Sequence, residues 1–467
     1  MQARVRQTPM ATRRSFADTT PTRGIGWMTK NARLARVCSP RCLLLFSVAG
    51  FALSAPPASA QTEIDKRGES VTSRERARVE DNSHQVGAFL VSPQLSVTAN
   101  YDDNIYATDT DRRGDVYLTV RPQLAVQSTW SSNALNFSGF FDRDIHAKYT
   151  SEDVSNYGAA LDGRYDISRQ TRLFAGVTAS RNAERRGSLS SFAASAEPVR
   201  YTSATANLAA EQDLGNLRLR GEGRFRRVSY GDALLAGGVE IDQGFRDFDI
   251  FSGSLQARYD LNSLTSFILR GTLEERRYDL RPDDPGFDPL TQIDRSGSST
   301  LLEAGIAREL TELLYGTVRV GYLSFRYPDP KLNDVDAFSY FVDLKWNVTP
   351  LTTIVATAQR RVDETTSPVT AGNLRDEVGI SLDHELLRSL IITADARIAS
   401  INPSIADGVI SVIDSSSDET EVGAGARYYI GRQLRVDARY NHRRRSSDNP
   451  LLRYVANRAT VGVSFMF

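Results

Sequence analysis

The chain has 467 residues, with 57 basic and 57 acidic side chains, so its formal net charge is zero. This balance gives no indication of a partner recognised by overall charge, and we expect no nucleic-acid partner. After residue 60 no apolar run reaches about 18 residues, which excludes a conventional transmembrane helix but leaves a transmembrane β-barrel open.

The first 60 residues have the organisation of a secretory signal peptide. A basic region precedes the apolar run LLLFSVAGFAL, and a small-residue ASA tripeptide ends at Ala60. We therefore expect residues 1–60 to be a signal peptide that is cleaved after Ala60, and a functional start at Met28 would give it an ordinary length. Both cysteines, Cys38 and Cys42, lie in this segment, so the mature chain would contain no thiol.

Residues 61–85 are polar and densely charged, without a recurring apolar face. This composition favours a solvated periplasmic arm. From residue 86 to residue 467 the sequence alternates between apolar and polar positions with a period of two, which predicts β-strands. The alternation is clear in VSPQLSVTANY, DVYLTVRPQLAVQ, FSGSLQARYDL, FSYFVDLKWNV, EVGAGARYYI and ATVGVSFMF.

The connections between these strands alternate in length. Short ones, such as SRQ, LGN and TPL, are followed by long polar ones, such as RPDDPGFDPLTQIDRSGS. Short periplasmic turns and longer outer loops are typical of outer-membrane barrels. The sequence thus predicts an all-β fold for residues 86–467, a transmembrane antiparallel β-barrel of about 18 strands in the bacterial outer membrane. A count of sixteen strands is the alternative.

Strand length distinguishes this barrel from a soluble β-sandwich or propeller. Soluble strands average about five or six residues, whereas many of these alternating segments reach ten or more. Two outward aromatic pairs, Phe251 with Tyr259 and Phe338 with Trp346, have the same spacing of eight residues. At about 3.3 Å per residue and a tilt near 40°, this spacing corresponds to roughly 20 Å between two interfacial aromatic belts.

The last segment ends in SFMF, with Phe465 and Phe467 on the alternating apolar face. A terminal phenylalanine on such a strand resembles the signal read by the outer-membrane barrel-assembly machinery. We therefore expect that machinery, and outer-membrane lipids with lipopolysaccharide, as partners.

The first three strands resemble the putative β-barrel porin 2 family. The resemblance depends on Tyr101-Asp102-Asp103-Asn104 and Trp130-Ser131, while the later strands match only in general pattern. It implies an outer-membrane β-barrel of a kind often associated with exopolysaccharide systems, with polysaccharide or export proteins as further partners. It implies no catalytic motif.

The polar positions predict a charged lumen. One set of residues forms an expected basic ladder, and another an expected acidic wall. The basic ladder comprises Arg218, Arg220, Arg224, Arg226, Arg435, Arg439 and Arg443, and the acidic wall comprises Glu303, Glu309, Glu377, Asp383 and Glu385. Charged walls tune which solutes pass a pore, so passive passage of solutes or polysaccharide is the expected function. Charge pairs that only brace a closed lumen are the alternative.

Two other function classes were weighed. A plugged structural or adhesive barrel would act through its long acidic loops. A barrel enzyme would use Asp142, Asp144 and His146 on one strand, or His442 near Asn441 and Ser446, but neither set contains a supported nucleophile, base and orienting group. We expect no enzyme activity and no cofactor.

A metal site and a sugar-stacking surface were also considered. The segment TDTDRRGD resembles a calcium loop, but Arg113 stands at a ligand position, and the four histidines lack metal-ligand spacing. We therefore expect no bound metal. The aromatic residues expected to face inward and to offer stacking surfaces for sugars are Phe140, Tyr315, Phe325 and Tyr327.

Overall fold

The computed structural model describes residues 70–71, 83–188, 195–287, 293–311, 313–363, 370–405 and 415–467. The predicted signal peptide, residues 1–60, lies outside the described residues, as does most of the predicted arm. Within the described ranges, eighteen long strands pair in chain order, each antiparallel to its neighbour, and the last strand pairs with the first. The fold is a closed all-β barrel, as the alternation predicts.

The barrel strands are numbered here from β1 to β18. The first nine are β1 (Phe89–Asp102), β2 (Asp115–Ser128), β3 (Ala134–His146), β4 (Ser155–Asp166), β5 (Thr171–Ala183), β6 (Arg200–Leu214), β7 (Leu217–Tyr230), β8 (Phe248–Asn262) and β9 (Thr265–Tyr278). The others are β10 (Gly297–Thr311), β11 (Leu314–Arg326), β12 (Val335–Thr349), β13 (Thr352–Asp363), β14 (Thr370–Leu387), β15 (Leu390–Ile405), β16 (Ser417–Ile430), β17 (Leu434–Ser447) and β18 (Tyr454–Met466).

Strand length matches the thickness of a membrane. A 14-residue strand such as β1 spans roughly 35 Å along the membrane normal at about 3.3 Å per residue and a tilt near 40°. Because lipid offers no hydrogen-bond partner to the backbone, a sheet that crosses it must close on itself. The pairing of β1 with β18, from Gln94–Met466 to Asp102–Arg458, provides this closure.

The outer surface of the barrel carries the apolar residues of each strand. At mid-depth Leu255, Leu269 and Leu273 are each more than 60% exposed. The predicted aromatic pairs also face outward, Phe251 with Tyr259 and Phe338 with Trp346. A lipid-facing charge at mid-depth would cost about 2–4 kcal/mol, which explains why this band is apolar.

Outward-facing charges occur near the outer ends of the strands, and several of them are paired. The pairs include Glu275–Arg277 at 2.8 Å, Arg326–Asp336 at 2.9 Å and Arg360–Asp376 at 2.6 Å. The apolar band therefore ends at a rim of ion pairs on the side of the long loops.

The lengths of the connections show which end of the barrel faces the periplasm and which end faces outward. The tight turns, such as Gly215-Asn216 between β6 and β7, lie at the same end as both ends of the described barrel segment. Gly215 adopts a φ of +74°, a conformation that favours glycine, and this permits a two-residue hairpin. By the usual rule this end faces the periplasm and the long loops face outward.

Few elements lie outside the eighteen strands. A short strand, His84–Val86, pairs with the start of β1, and Ala233–Leu234 pairs with Glu240–Ile241 in an outer loop. Among the described residues, three single-turn 3-10 helices lie in outer loops, at Thr150–Glu152, Gly244–Arg246 and Pro450–Leu452. In the described part of the chain, no helix is long and apolar enough to cross a membrane.

Candidate functional site: the barrel lumen

The middle of the lumen is polar and hydrated. The inward side chains of Arg220, Arg397 and Asp395 are each about a third exposed. A packed protein core would bury such groups almost completely. The exposure of these charged side chains indicates that water occupies the space between the walls at this depth.

The residues of the expected basic ladder lie on the inward faces of β7 and β17, and most of them pair with carboxylates. Arg224 lies 2.6 Å from Glu222, and Arg439 lies 2.5 Å from Asp395. The ion-pair partners of the others are Asp213 for Arg218, Glu211 and Glu222 for Arg220, Asp437 for Arg435, and Asp102 for Arg443. Within the described ranges Arg226 forms no ion pair.

The residues of the expected acidic wall lie on the inward faces of β10 and β14, and arginines lie among them. Glu303 pairs with Arg319 at 3.2 Å, and both side chains are almost fully buried. Glu377 pairs with Arg375 at 3.0 Å. Glu309, Asp383 and Glu385 lie at the periplasmic end of these two strands. β14 thus carries both signs, and Glu303 of β10 pairs with an arginine of the neighbouring β11, so these charges form a mesh of ion pairs along the wall.

The outer loops are joined into one layer over part of the mouth. L2 (147–154), L3 (184–199) and L4 (231–247) are the loops after β3, β5 and β7. In L3, Arg186 donates to Glu152 of L2 at 2.7 and 3.0 Å. Also in L3, Glu184 pairs with Arg246 of L4, and both side chains are 3% exposed. We call these three linked loops the collar.

The collar continues into the next two loops, L5 (279–296) and L6 (327–334). Arg295 of L5 donates to the carbonyl oxygen of Phe245 in L4 at 2.7 Å. The backbone N–H of Asp294 in L5 donates to Asp329 of L6 at 2.9 Å. These contacts link the outer loops from L2 to L6 along one side of the barrel.

The periplasmic end of the lumen holds a short piece of the chain that precedes the barrel. Val71 is fully buried and packs with the inward residues Ile391 and Tyr429. Its backbone N–H donates to Thr353 Oγ1 at 3.0 Å. Val71 thus lies against the inner wall, near the short turns.

The Tyr101-Asp102-Asp103-Asn104 segment closes the barrel at the outer end of the seam between β1 and β18. Asp102 accepts from Arg458 at 2.9 and 3.1 Å, and Asp103 accepts from both nitrogens of Asn457 at 2.6 Å. Asn104 donates to the carbonyl oxygen of Val455 at 2.9 Å. Three consecutive side chains therefore fasten the first strand to the last.

The other residues of the family resemblance and of the expected targeting signal lie near the periplasmic end. Trp130 packs edge-on against Phe89 at 5.6 Å between ring centroids. Phe465 faces outward and is 43% exposed, and the N–H of Phe467 donates to the carbonyl oxygen of Pro93 at 3.0 Å.

The first set of residues weighed for catalysis is occupied by structural contacts. Asp142 lies 2.6 Å from Arg121, and Asp144 accepts from Thr119 at 2.5 Å. The His146 ring stacks on the ring of Tyr117 at 4.6 Å. The side chains of Asp142, Asp144 and His146 are each held in place by a neighbouring residue.

The second set comes together only in part, since His442 and Ser446 line one pocket without Asn441. His442 is on the outward face of β17 and contacts Asn457 at 2.8 Å, whereas Asn441 is on the inward face. Neighbouring residues of a strand point to opposite sides of a sheet, so these two side chains cannot act on one substrate.

Two of the four aromatics expected to stack on sugars do not line the open lumen. Phe325 and Tyr327 stack on each other at 4.6 Å and are buried with Ile293 and Leu332. The prediction for these two rings is wrong, because loop residues that alternation cannot place cover them. Phe140 is inward but carries the guanidinium of Arg121 over its ring at 5.3 Å.

The acidic segment of L1 (103–114), the loop after β1, contains an ion pair. Arg113 lies 2.8 Å from Asp111, and both side chains are largely exposed. Across the described residues, no group of three or more His, Cys, Asp or Glu side chains is arranged to hold a metal ion.

Sequence reasoning missed the residues that build the collar, namely Glu152, Glu184, Arg186 and Arg246. Their only signal is the presence of charged residues in long loops that were interpreted as solvated. Their partners lie in other loops, between 34 and 62 residues away in sequence, so local pattern could not reveal the pairing.

Several solved structures are similar to this chain at low sequence identity. The outer membrane protein opdK from Pseudomonas aeruginosa is 11% identical, with 81% of this chain and 99% of that chain covered and a TM-score of 0.41. A BenF-like porin from Pseudomonas fluorescens Pf-5 is 13% identical, with 81% and 99% covered and a TM-score of 0.42. The siderophore receptor PiuA from Acinetobacter baumannii is 10% identical, with 83% and 82% covered and a TM-score of 0.45.

Neither solute nor partner follows from similarity at this level. No curated protein matches the chain at a significant level. Residues 80–467 match the family described as Putative beta-barrel porin 2, and this range includes every barrel strand. The chain is therefore an outer-membrane β-barrel that belongs to the Putative beta-barrel porin 2 family.

Proposed function

We propose that the barrel is a channel for the passive passage of hydrophilic solutes across the outer membrane. The observation that carries the proposal is the hydrated middle of the lumen, where Arg220, Arg397 and Asp395 remain about a third exposed between the walls. An 18-strand barrel is wide enough for an aqueous path unless loops or an inserted segment fill it.

The narrower part of the proposal concerns the solute. Inward arginines and carboxylates offer many planar hydrogen-bonding groups, which suit the hydroxyl and carboxylate groups of saccharides. The resemblance to barrels associated with exopolysaccharide systems supports the same choice. We infer that the solute is a saccharide, and that the channel serves an exopolysaccharide system.

A second candidate function is a structural barrel whose lumen does not conduct. The collar favours it, because Glu184 and Arg246 pair at 3% exposure, and so does the burial of Val71 at the other end. In that case the outer loops would be the functional surface.

Liposome swelling with the purified chain of residues 61–467 separates the two candidates. Passive passage predicts swelling in neutral sugars at a rate that falls as the sugar becomes larger. A heat-modifiable, folded barrel that gives no swelling even with arabinose would reject the channel and favour the structural role. Swelling with monosaccharides but exclusion of all charged oligosaccharides would reject the exopolysaccharide part alone.

A further inference from the structure

Three arginines meet at the outer end of the lumen. Arg443 on β17 and Arg458 on β18 face inward, and Arg185 reaches them from L3. The backbone of L3 lies against this part of the wall, because a Cβ atom at Gly187 would lie 3.1 Å from the Tyr454 ring.

The positive charge of this arginine cluster is only partly balanced. Asp102 is 1% exposed and accepts from Arg458, and the same carboxylate lies 3.7 Å from Arg443. Within the described ranges, no hydrogen bond or ion pair joins Arg185 to an acceptor. Its Nε is buried and has no hydrogen-bond partner among the described residues.

The other carboxylates near the cluster are engaged elsewhere. Glu421 lies 3.7 Å from Arg397, and Asp144 accepts from Thr119 at 2.5 Å. Among the described residues, Asp102 is therefore the one carboxylate in contact with the cluster, and it reaches Arg458 and Arg443 but not Arg185.

A guanidinium group at the position of Arg185 is destabilised when no acceptor binds it. Burial, and next the positive charges of Arg443 and Arg458, lower the pKa of the Arg185 guanidinium. A buried donor without a partner also loses the hydrogen bonds that water would supply. A bound anion would relieve both effects at once, since a guanidinium matches a carboxylate or phosphate with two parallel hydrogen bonds.

We propose that Arg185, Arg443 and Arg458 form a binding site for the anionic group of a solute that enters from the outside. The chemical class is a small hydrophilic molecule with a carboxylate or a phosphate, such as an acidic saccharide. This inference assigns a solute class to the proposed channel, and in that respect it rests on the proposed function. Binding of the anion, however, does not require that the barrel conducts.

Isothermal titration calorimetry on the purified chain of residues 61–467 in detergent tests the site. Galacturonate and inorganic phosphate are the anionic probes, and galactose is the neutral match for galacturonate. We expect both anions to bind and galactose to bind at least tenfold more weakly. Arg185→Gln should weaken anion binding about tenfold or more, because it removes a charge-assisted hydrogen-bond donor.

The matched control is Arg113→Gln, which removes a positive charge from an outer loop without touching the cluster. This variant should bind the anions like the unchanged chain. Heat-modifiable electrophoresis verifies that each variant folds, and Arg443→Gln replaces Arg185→Gln if the latter does not.

Two results would overturn the site. One is equal binding of galacturonate and galactose, and the other is unchanged anion affinity in a folded Arg185→Gln variant. Because calorimetry needs no transport, anion binding by a barrel that does not swell liposomes would reject the channel and keep the site. Swelling without anion binding would reject the site and keep the channel.

Discussion

At the scale of the single residue, Asp102 joins the first strand of the barrel to the last two. It accepts from Arg458, lies near Arg443, and also accepts from the backbone N–H of Asn104 at 3.0 Å. In sequence it belongs to the Tyr101-Asp102-Asp103-Asn104 segment, on which the family resemblance depends, and nothing in that segment predicts burial. The structure instead buries this carboxylate beside two arginines, so its charge is part of the barrel seam.

Replacement of Asp102 by asparagine should destabilise the barrel. The change leaves two arginines without their shared counter-charge, and breaking a buried ion pair typically costs about 3–5 kcal/mol. Urea unfolding in lipid vesicles should show a lower free energy of unfolding. Asp111→Asn in L1, the loop that follows β1, where the carboxylate is 78% exposed, should leave the midpoint unchanged. Equal midpoints for the two variants would show that the seam does not depend on this charge.

Arg226 and Arg227 offer a matched pair of adjacent charges on opposite sides of the wall. Arg226 faces the lumen, whereas Arg227 faces outward, 3.3 Å from Asp249. Arg226→Gln should raise the cation-to-anion permeability ratio about twofold, because an inward charge tunes which ions pass. Arg227→Gln should leave the ratio unchanged. Reversal potentials in a salt gradient measure both, and an unchanged ratio for Arg226→Gln would mean that this charge does not act on the ion path.

At the scale of the element, strands and loops differ in how far sequence predicts them. Period-two alternation places Phe251 outward and Arg224 inward because side chains of a strand alternate without exception unless a bulge intervenes. Alternation does not predict which carboxylate forms an ion pair with Arg224. L3 is harder still, since its path is set by Arg186 and Glu184, whose partners lie in other loops.

The buried position of Val71 is a feature that period-two alternation does not predict. Val71→Asp should displace this residue from Ile391 and Tyr429, because an aspartate there would be buried without a counter-charge. The expected result is a larger single-channel conductance than that of the unchanged chain. Val86→Asp, at a position that is 62% exposed, is the control and should not alter conductance. If the Val71→Asp channel conducts like the control, the buried Val71 does not narrow the lumen.

At the scale of the whole molecule, the closed barrel follows from two conditions that sequence does reveal. Alternating strands that are long enough to cross lipid need a hydrogen-bonded strand on each side. The short and long connections indicate that strands adjacent in sequence pair with each other. The sequence therefore predicts about 18 strands, with sixteen as the alternative, and it predicts the two faces of the barrel. The collar and the buried Val71 depend on contacts between distant parts of the chain, and they decide how open the lumen is.

Cysteine labelling tests the two faces directly, because the predicted mature chain has no cysteine of its own. Ser254 and Leu255 are neighbours on β8, and Leu255 is 64% exposed on the lipid-facing side. In liposomes, Ser254→Cys should react with a charged, membrane-impermeant thiosulfonate, and Leu255→Cys should not. Reaction of Leu255→Cys alone would reverse the assignment of the faces.

The central claim is that a hydrated path crosses the outer membrane through this barrel. Single-channel conductance of the refolded chain of residues 61–467 in a planar bilayer tests it most directly. We expect discrete, steady conductance steps, with anions retarded at the outer end where Arg185, Arg443 and Arg458 meet. A folded, heat-modifiable barrel that inserts but gives no conductance steps would contradict the claim.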